Sequence, residues 1–256
     1  MTRRPWTQSL ELLALLVLKD LRVRYKGSFL GYLWAVANPL AMTSVYYVVF
    51  QVIMRVQMPN YGVYLVTGLF PWTWASASML RAAMSYRSNE TLVSKVQLRR
   101  SILPLSDVLQ EMVHFLFACP VILTALVLTS GTVRLEWLVL IPVMTAIQLA
   151  VIYPMAVILA AMNIIARDVE YLVGVLLQML FFMTPIVYPL GSVPERYRPY
   201  FELNPFFPLI TAWRTVFYEG ALDRTAVLRL FVVVVLFGAA AWVVHHRVEP
   251  RIGEML

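Results

Sequence analysis

The residues best suited to proton or metal chemistry are Asp107, Glu111 and His114. Their spacing of four and then three places them on one face of a helix. Such a trio offers either an acid–base or metal site, or a polar stripe turned towards other helices. It supplies no nucleophile and no metal cage. The lone cysteine, Cys119, lies in an apolar run, which excludes a disulfide or a cysteine metal site within one chain. No lysine follows a glycine, so nucleotide cannot be bound in the P-loop manner. If ATP drives this protein, the motor is another polypeptide. The other candidates are aromatic: Trp34, Tyr46, Tyr47, Phe50, Trp72, Trp74, Phe181, Phe182 and Tyr188 are spread along apolar runs rather than kept to their ends. A ring face stacks on the C–H face of a sugar without a fixed hydrogen-bond pattern, so a glycan can slide over it. The same residues also serve as lipid-facing belts and in helix packing.

The elements that hold these residues are set by composition. Of 256 residues, 61% are hydrophobic and 14% charged, against about 25% charged in soluble domains, so this is an integral membrane protein. The net charge of +7 sits in short clusters between apolar runs. That pattern fits anionic lipid headgroups and topology rather than nucleic acid. The apolar stretch Leu12–Leu18 is short for a signal-peptide core, and no small-residue cleavage pattern follows, so the segment is expected to be retained. Residues 8–26 contain Lys19, Arg22, Arg24 and Lys26 and do not cross. On a helix, Glu11, Lys19, Arg22 and Lys26 gather on one side and Leu10, Leu13, Val17, Leu21 and Tyr25 largely on the other, as in a helix lying in the headgroup plane.

Six spans are expected to follow: Gly27–Met54 with a kink at Asn38-Pro39, Val63–Ala83, Asp107–Thr129, Trp137–Ala166, Tyr171–Leu190 and Ala226–Val244. With the N-terminus inside, 14 of the 21 Lys and Arg residues fall on the cytoplasmic side, so both termini are expected there. The only long polar stretch between two hydrophobic halves is 81–111. Within it Ser88 and Asn89 are expected to cap a short helix, with Glu90 in its first turn and Arg99 and Arg100 in its last. Pro104 then stops that helix or kinks the start of the next apolar run. A short basic helix between two spans is available to another protein, or is simply a solvated positive-inside loop. The segment LNPFFPLITAW at 203–213 is too short to cross, and Pro205 and Pro208 are expected to prevent one continuous helix. It either dips into the membrane and returns, the preferred reading, or anchors at the interface.

Several stretches together resemble one family: RYKGSFLG at 24–31, GLFPW at 68–72, NETLVSKVQLRRSILPL at 89–105, RDVEYLVG at 167–174, FFMTPIVYP at 181–189 and NPFFPLITAWR at 204–214. In that order the chain resembles the membrane subunit of ABC-2-type exporters, in the branch that moves O-antigen, capsular polysaccharide or teichoic acid. The resemblance implies one all-α membrane domain over 1–256 in a bacterial inner membrane, with an interfacial helix at 8–26. It also implies a coupling helix at 88–101 docked on a separate ATPase, and a re-entrant exit segment at 194–220. Two copies and two ATPase subunits are implied; ATP and Mg are bound by the partner, and no cofactor by this chain. The coupling residues would be Ser88, Asn89, Glu90, Lys95, Arg99 and Arg100. Relatives often carry Phe-Pro-Arg where this chain has Leu98-Arg99-Arg100, which lets the coupling helix run further.

On this reading a lipid-linked polysaccharide enters beside the interfacial helix at Arg22, Arg24, Tyr25 and Lys26. It slides over Trp34, Tyr46, Phe50, Trp72, Trp74, Phe181, Phe182 and Tyr188, and leaves past Phe206, Phe207 and Trp213. The rivals are an ABC-2 exporter of a drug or small lipid, which would favour a dry aliphatic cleft, and an intramembrane transferase or hydrolase using Asp107, Glu111 and His114.

Overall fold

Long apolar runs cut by Pro, Gly and charge become helices, and the computed structural model, which describes residues 5–28, 31–95, 99–248 and 252, consists of helices joined by turns, with no strand among those residues. The helices are α1 (Pro5–Tyr25), α2 (Trp34–Tyr46), α3 (Tyr61–Ser88), α4 (Glu90–Lys95) and α5 (Ile102–Ser130). After them come α6 (Trp137–Ile165), α7 (Val169–Phe182), α8 (Arg198–Glu202), α9 (Phe206–Glu219) and α10 (Arg224–Val248). A single 3-10 turn precedes α2, and a π-helical stretch, Tyr47–Ile53, follows it.

Helix α3 is the centre of the bundle, packed by α2, α5, α6, α7 and α9. Its sequence is rich in Gly, Ala, Ser and aromatics, which lets neighbours approach closely and fills the gaps with rings. Four segments are long and apolar enough to cross a membrane: Gly31–Ile53, α5, α6 and α10. Helix α3, at 28 residues, is about 42 Å long and exceeds the hydrocarbon thickness, but it is less apolar because other helices rather than lipid surround it. Helix α7, at 14 residues, is about 21 Å long and falls short. The fifth apolar run therefore stops being helical at Phe182 rather than Leu190; beyond Met183 the chain turns through Thr184–Tyr188.

Several other sequence expectations are corrected. Ser88 is the last residue of α3, where its hydroxyl bonds the Met84 and Ser85 carbonyls, and the Asn89 amide donates to Ser85 O at 2.9 Å. Both side chains thus finish α3 instead of capping α4. Arg99 and Arg100 lie outside α4; their carbonyls accept from Ile102 and Leu103 and so begin α5. Pro104 sits in the first turn of α5, where its missing N–H costs nothing, so it neither stops nor kinks a helix. Pro205 and Pro208 likewise occupy the N-terminal edge of α9, which runs unbroken to Glu219. Residues 96–98 of the expected coupling helix lie outside the described residues.

Helix α1 packs on the bundle through residues on and beside its expected apolar stripe. Leu16 and Leu21 are buried, with Leu12 and Leu13 partly so, whereas Leu10 is 65% exposed. Helix α5 ends on Gly131, whose φ of 68° allows its N–H to reach Val127 O at 2.8 Å. Nothing lies within 4 Å of a Cβ there, so Gly131→Ala introduces backbone strain alone. It is expected to cost about 1 kcal/mol, read as a small fall in Tm in detergent.

Candidate functional site

At the α4 end of the bundle, α1, α3 and α5 meet through polar groups. Arg24 Nη1 donates to Glu111 Oε1 at 2.5 Å, and His114 Nδ1 lies 3.1 Å from Glu111 Oε2 and 3.3 Å from Arg24 Nη1. Arg81 of α3 donates to Gln110 Oε1 at 2.6 Å and to Asp107 Oδ1 at 3.4 Å, with its Nε 3.7 Å from Glu111. Gln110 in turn donates to Asp20 of α1 at 2.9 Å. The trio Asp107, Glu111 and His114 thus faces other helices as a polar stripe, each acid paired with an arginine. No cluster of three His, Cys, Asp or Glu side chains suited to a metal occurs among the described residues. Arg81 and Gln110 were not singled out from sequence; their signal was their helical register with Asp107, visible only once α3 and α5 were known to be neighbours.

The expected cationic group on α1 is divided between two faces. Arg24 points inward and, with Glu111, His114, Asn38, Thr73 and Trp34, lines a cavity of about 90 Å³. Arg22 and Lys26 point outward with Lys19, rimming an open groove of about 480 Å³ whose floor is Leu15, Leu18 and Val23. Aliphatic floor and cationic rim suit a lipid tail and its phosphate. The side chains of Tyr25 and Lys95 lie outside the described residues.

The aromatic candidates fall into two groups. Tyr46, Trp72, Phe181 and Phe182 form one series: Tyr46 stacks on Phe181 at 5.4 Å, Trp72 tilts against Phe181 at 5.7 Å, and Phe182 meets Phe181 edge-on at 5.1 Å. Phe50 continues it from Tyr46 at 6.4 Å. Phe182 at one end of it and Trp34 on α2 are open, each 50% exposed, while Phe50 and Tyr46 are partly buried against the core. Trp74 and Trp213 are 1% and 0% exposed and pack on either side of Phe115, so they are core side chains of the protomer. Phe206 and Phe207 are buried too, Phe206 meeting Trp72 edge-on at 5.3 Å. The gate residues named from sequence therefore sit inside the bundle, on the helix that follows the turn at Leu203–Pro205.

At the opposite end, the segment after α7 is strapped to α3. Tyr61 donates to Val187 O at 2.5 Å and Tyr64 to Tyr188 O at 2.8 Å. Arg214 of α9 donates to Tyr64 Oη at 2.7 Å, to Ile186 O at 3.1 Å and to Pro185 O, and its guanidinium lies 3.6 Å from the Tyr64 ring centroid. Gly68 leaves room for it, since a Cβ there would meet Arg214 Nη2 at 2.8 Å. Asn204 joins the end of α7 to the start of α9, donating to Thr184 Oγ1 at 2.8 Å and accepting from Phe206 N at 2.9 Å. Trp213 donates to Gln148, which donates to Pro71 O at 2.9 Å. Arg214, Gln148 and Asn204 carry this end, and sequence reading gave none of them a role.

Helix α4 thus stands at one end, anchored by buried Val93, with a strapped turn at the other end and an aromatic series between. The chain is 36% identical over 246 residues to the O-antigen export system permease protein RfbA of Klebsiella pneumoniae, covering 96% of this chain and 95% of that protein. It is also 36% identical over 246 residues to RfbA of Myxococcus xanthus, covering 93% of each. It is 24% identical over 237 residues to the polysialic acid transport protein KpsM of Escherichia coli, covering 87% of this chain and 88% of that one. Residues 11–218 match the ABC-2 type transporter family, and the chain belongs to that family as a multi-pass membrane permease.

Proposed function

We propose that this chain is the membrane subunit of an ATP-driven exporter that moves a lipid-linked polysaccharide of O-antigen type across the bacterial inner membrane. It works as a homodimer with two ATPase subunits, both termini and α4 facing the cytoplasm, and with six spans, α3 and α7 among them. Residues 194–220 dip into the membrane from the far side and close the exit. The observation that carries the reading is the aromatic series that runs from partly buried Phe50 and Tyr46 through buried Phe181 to Phe182, which this protomer leaves exposed, as it does Trp34. The export relatives support the substrate class. In this reading, closure of the ATPase dimer pushes on α4 and reaches the conduit through α3, which is continuous from Ser88 to Tyr61. The open faces of α2 and α10 meet lipid or the second copy.

Trp34 and Phe182 are the informative pair to remove, because Trp72 and Phe181 are core residues whose loss would also destabilise the bundle. In cells, Trp34→Ala with Phe182→Ala is expected to leave assembly with the ATPase intact and to reduce surface polysaccharide severalfold. Unchanged surface polymer at equal expression would remove the aromatic conduit. The rival substrate, a drug or small lipid, has one observation in its favour: an aliphatic cavity of about 260 Å³ lined by Met79, Met155, Leu159, Leu177, Leu180 and Phe237. Unchanged surface polymer in a strain lacking the gene would favour that rival.

A further inference from the structure

Arg24 and Glu111 form an unequal pair. The arginine side chain is 42% exposed, while the carboxylate it binds is 5% exposed. An exposed guanidinium can leave for another anion at small desolvation cost; a buried carboxylate cannot follow it. Glu111 is also not stranded if Arg24 leaves, because His114 Nδ1 remains 3.1 Å from one oxygen and Arg81 Nε 3.7 Å from the other. The cavity beside the pair has about 90 Å³, room for a group of phosphate size, with Asn38 and Thr73 on its wall and the Trp34 ring next to them. It lies on the inward side of α1, behind the groove rimmed by Lys19, Arg22 and Lys26.

From this geometry we infer that Glu111 is a built-in stand-in for a phosphate: it holds Arg24 while the site is empty and yields it to the phosphate of an arriving lipid. The inference rests on the proposed export function for the identity of that lipid, and adds the residue that competes with it. In the empty protein the Arg24–Glu111 contact ties α1 to α5. When a phosphate enters the cavity, Arg24 turns from Glu111 to its oxygens as a charge-assisted donor, and His114 and Arg81 keep Glu111 compensated. The tie between α1 and α5 is thereby loosened only when cargo is present, and the first sugar is delivered beside Trp34. Uptake is then selective because an uncharged lipid gives Arg24 no reason to leave its carboxylate. Glu111 is a positioning residue in this scheme: it acts by holding and releasing Arg24 at the cavity wall.

The test is the affinity of the intact permease–ATPase complex for sugar-free undecaprenyl pyrophosphate, in nanodiscs of phosphatidylcholine. Glu111→Gln keeps the hydrogen-bonding shape but removes the competing charge, and is expected to tighten binding several-fold. Arg24→Gln is expected to weaken it by about tenfold, as for a lost charge-assisted contact. The exchange Arg24→Glu with Glu111→Arg restores an ion pair, so its Tm is expected to return towards that of the unaltered protein while its affinity stays low. Wild-type affinity in the exchanged protein would show a purely structural pair and overturn the proposal, as would unchanged or weaker binding in Glu111→Gln. Doping with phosphatidylglycerol distinguishes the source of the phosphate. If it reproduces the gain in Glu111→Gln, the site takes bulk headgroups and the cargo-linked step is wrong. Because the probe carries no sugar, these results stand apart from surface-polymer export in cells, whose loss would refute only the glycan assignment.

Discussion

Alanine in place of Glu111 lowers the stability of the permease by about 1.5–3 kcal/mol, the range for losing hydrogen bonds to a charged group, because the arginines left behind are partly solvated. The carboxylate is at the junction of Arg24, Arg81 and His114, so its loss leaves two arginines and an imidazole facing one another with only Asp107 and Asp20 nearby to offset them. Like charges a few ångströms apart repel, though less where both, like these arginines, are partly exposed. The consequence is local as well as global: α1 then keeps only its leucine contacts and the Asp20–Gln110 hydrogen bond among the described residues, and the helix becomes more sensitive to protease at residues 9–26. Melting followed by tryptophan fluorescence in detergent checks the first effect and limited proteolysis the second. Glu111→Gln is expected to lose far less, because an amide still pairs with both neighbours. If alanine and glutamine melt alike, and both like the unaltered protein, the cluster is solvated and contributes nothing.

Arg214→Leu produces the other large loss, about 3 kcal/mol. Hydrogen bonds from a charged donor are worth about 1.5–3 kcal/mol each, and this guanidinium serves Tyr64 together with the carbonyls of Pro185 and Ile186. Leucine leaves the Ile186 carbonyl without its arginine donor, leaves Pro185 O with Tyr64 Oη alone, and removes the cation from the Tyr64 ring. The turn after α7 would then keep only Tyr61, Tyr64 and Asn204 of its side-chain ties from other helices among the described residues, and cleavage near Thr184–Tyr188 should increase. Arg214→Lys is expected to recover only part, since an ammonium lacks the fork that spans three acceptors. Gly68→Ala tests the same contact from the other side by pushing the guanidinium away, with a smaller fall in Tm. An unaltered melt in Arg214→Leu would show that the strap does not contribute to stability.

The long apolar elements were readable because their signal is local: α5, α6 and α10 follow from length and hydropathy alone. The boundaries were not, for reasons visible at particular residues. Asn89 has the chemistry of an N-cap, but the free carbonyl it found was Ser85 of the preceding helix. Pro208 has the chemistry of a breaker, but it falls in a first turn where no donor is needed. Leu10 belongs to the apolar stripe of α1, yet the side that α5 covers is centred on Leu16, Asp20 and Leu21.

By itself the sequence determined that the chain is an integral membrane protein, that it binds no nucleotide through a P-loop, and that its family motifs point to an ABC-2 permease. Composition, motif and run length are properties of the chain taken one stretch at a time. Only the tertiary structure decided which partner each polar group takes. It turned Arg24 inward to Glu111 while Arg22 and Lys26 stayed outside, and it placed Trp74 and Trp213 in the core while Trp34 and Phe182 stayed open. The physical reason is that a buried charge or ring is stabilised by what stands opposite it. Arg24 and Glu111 are 87 residues apart in the chain, and Tyr64 and Arg214 are 150.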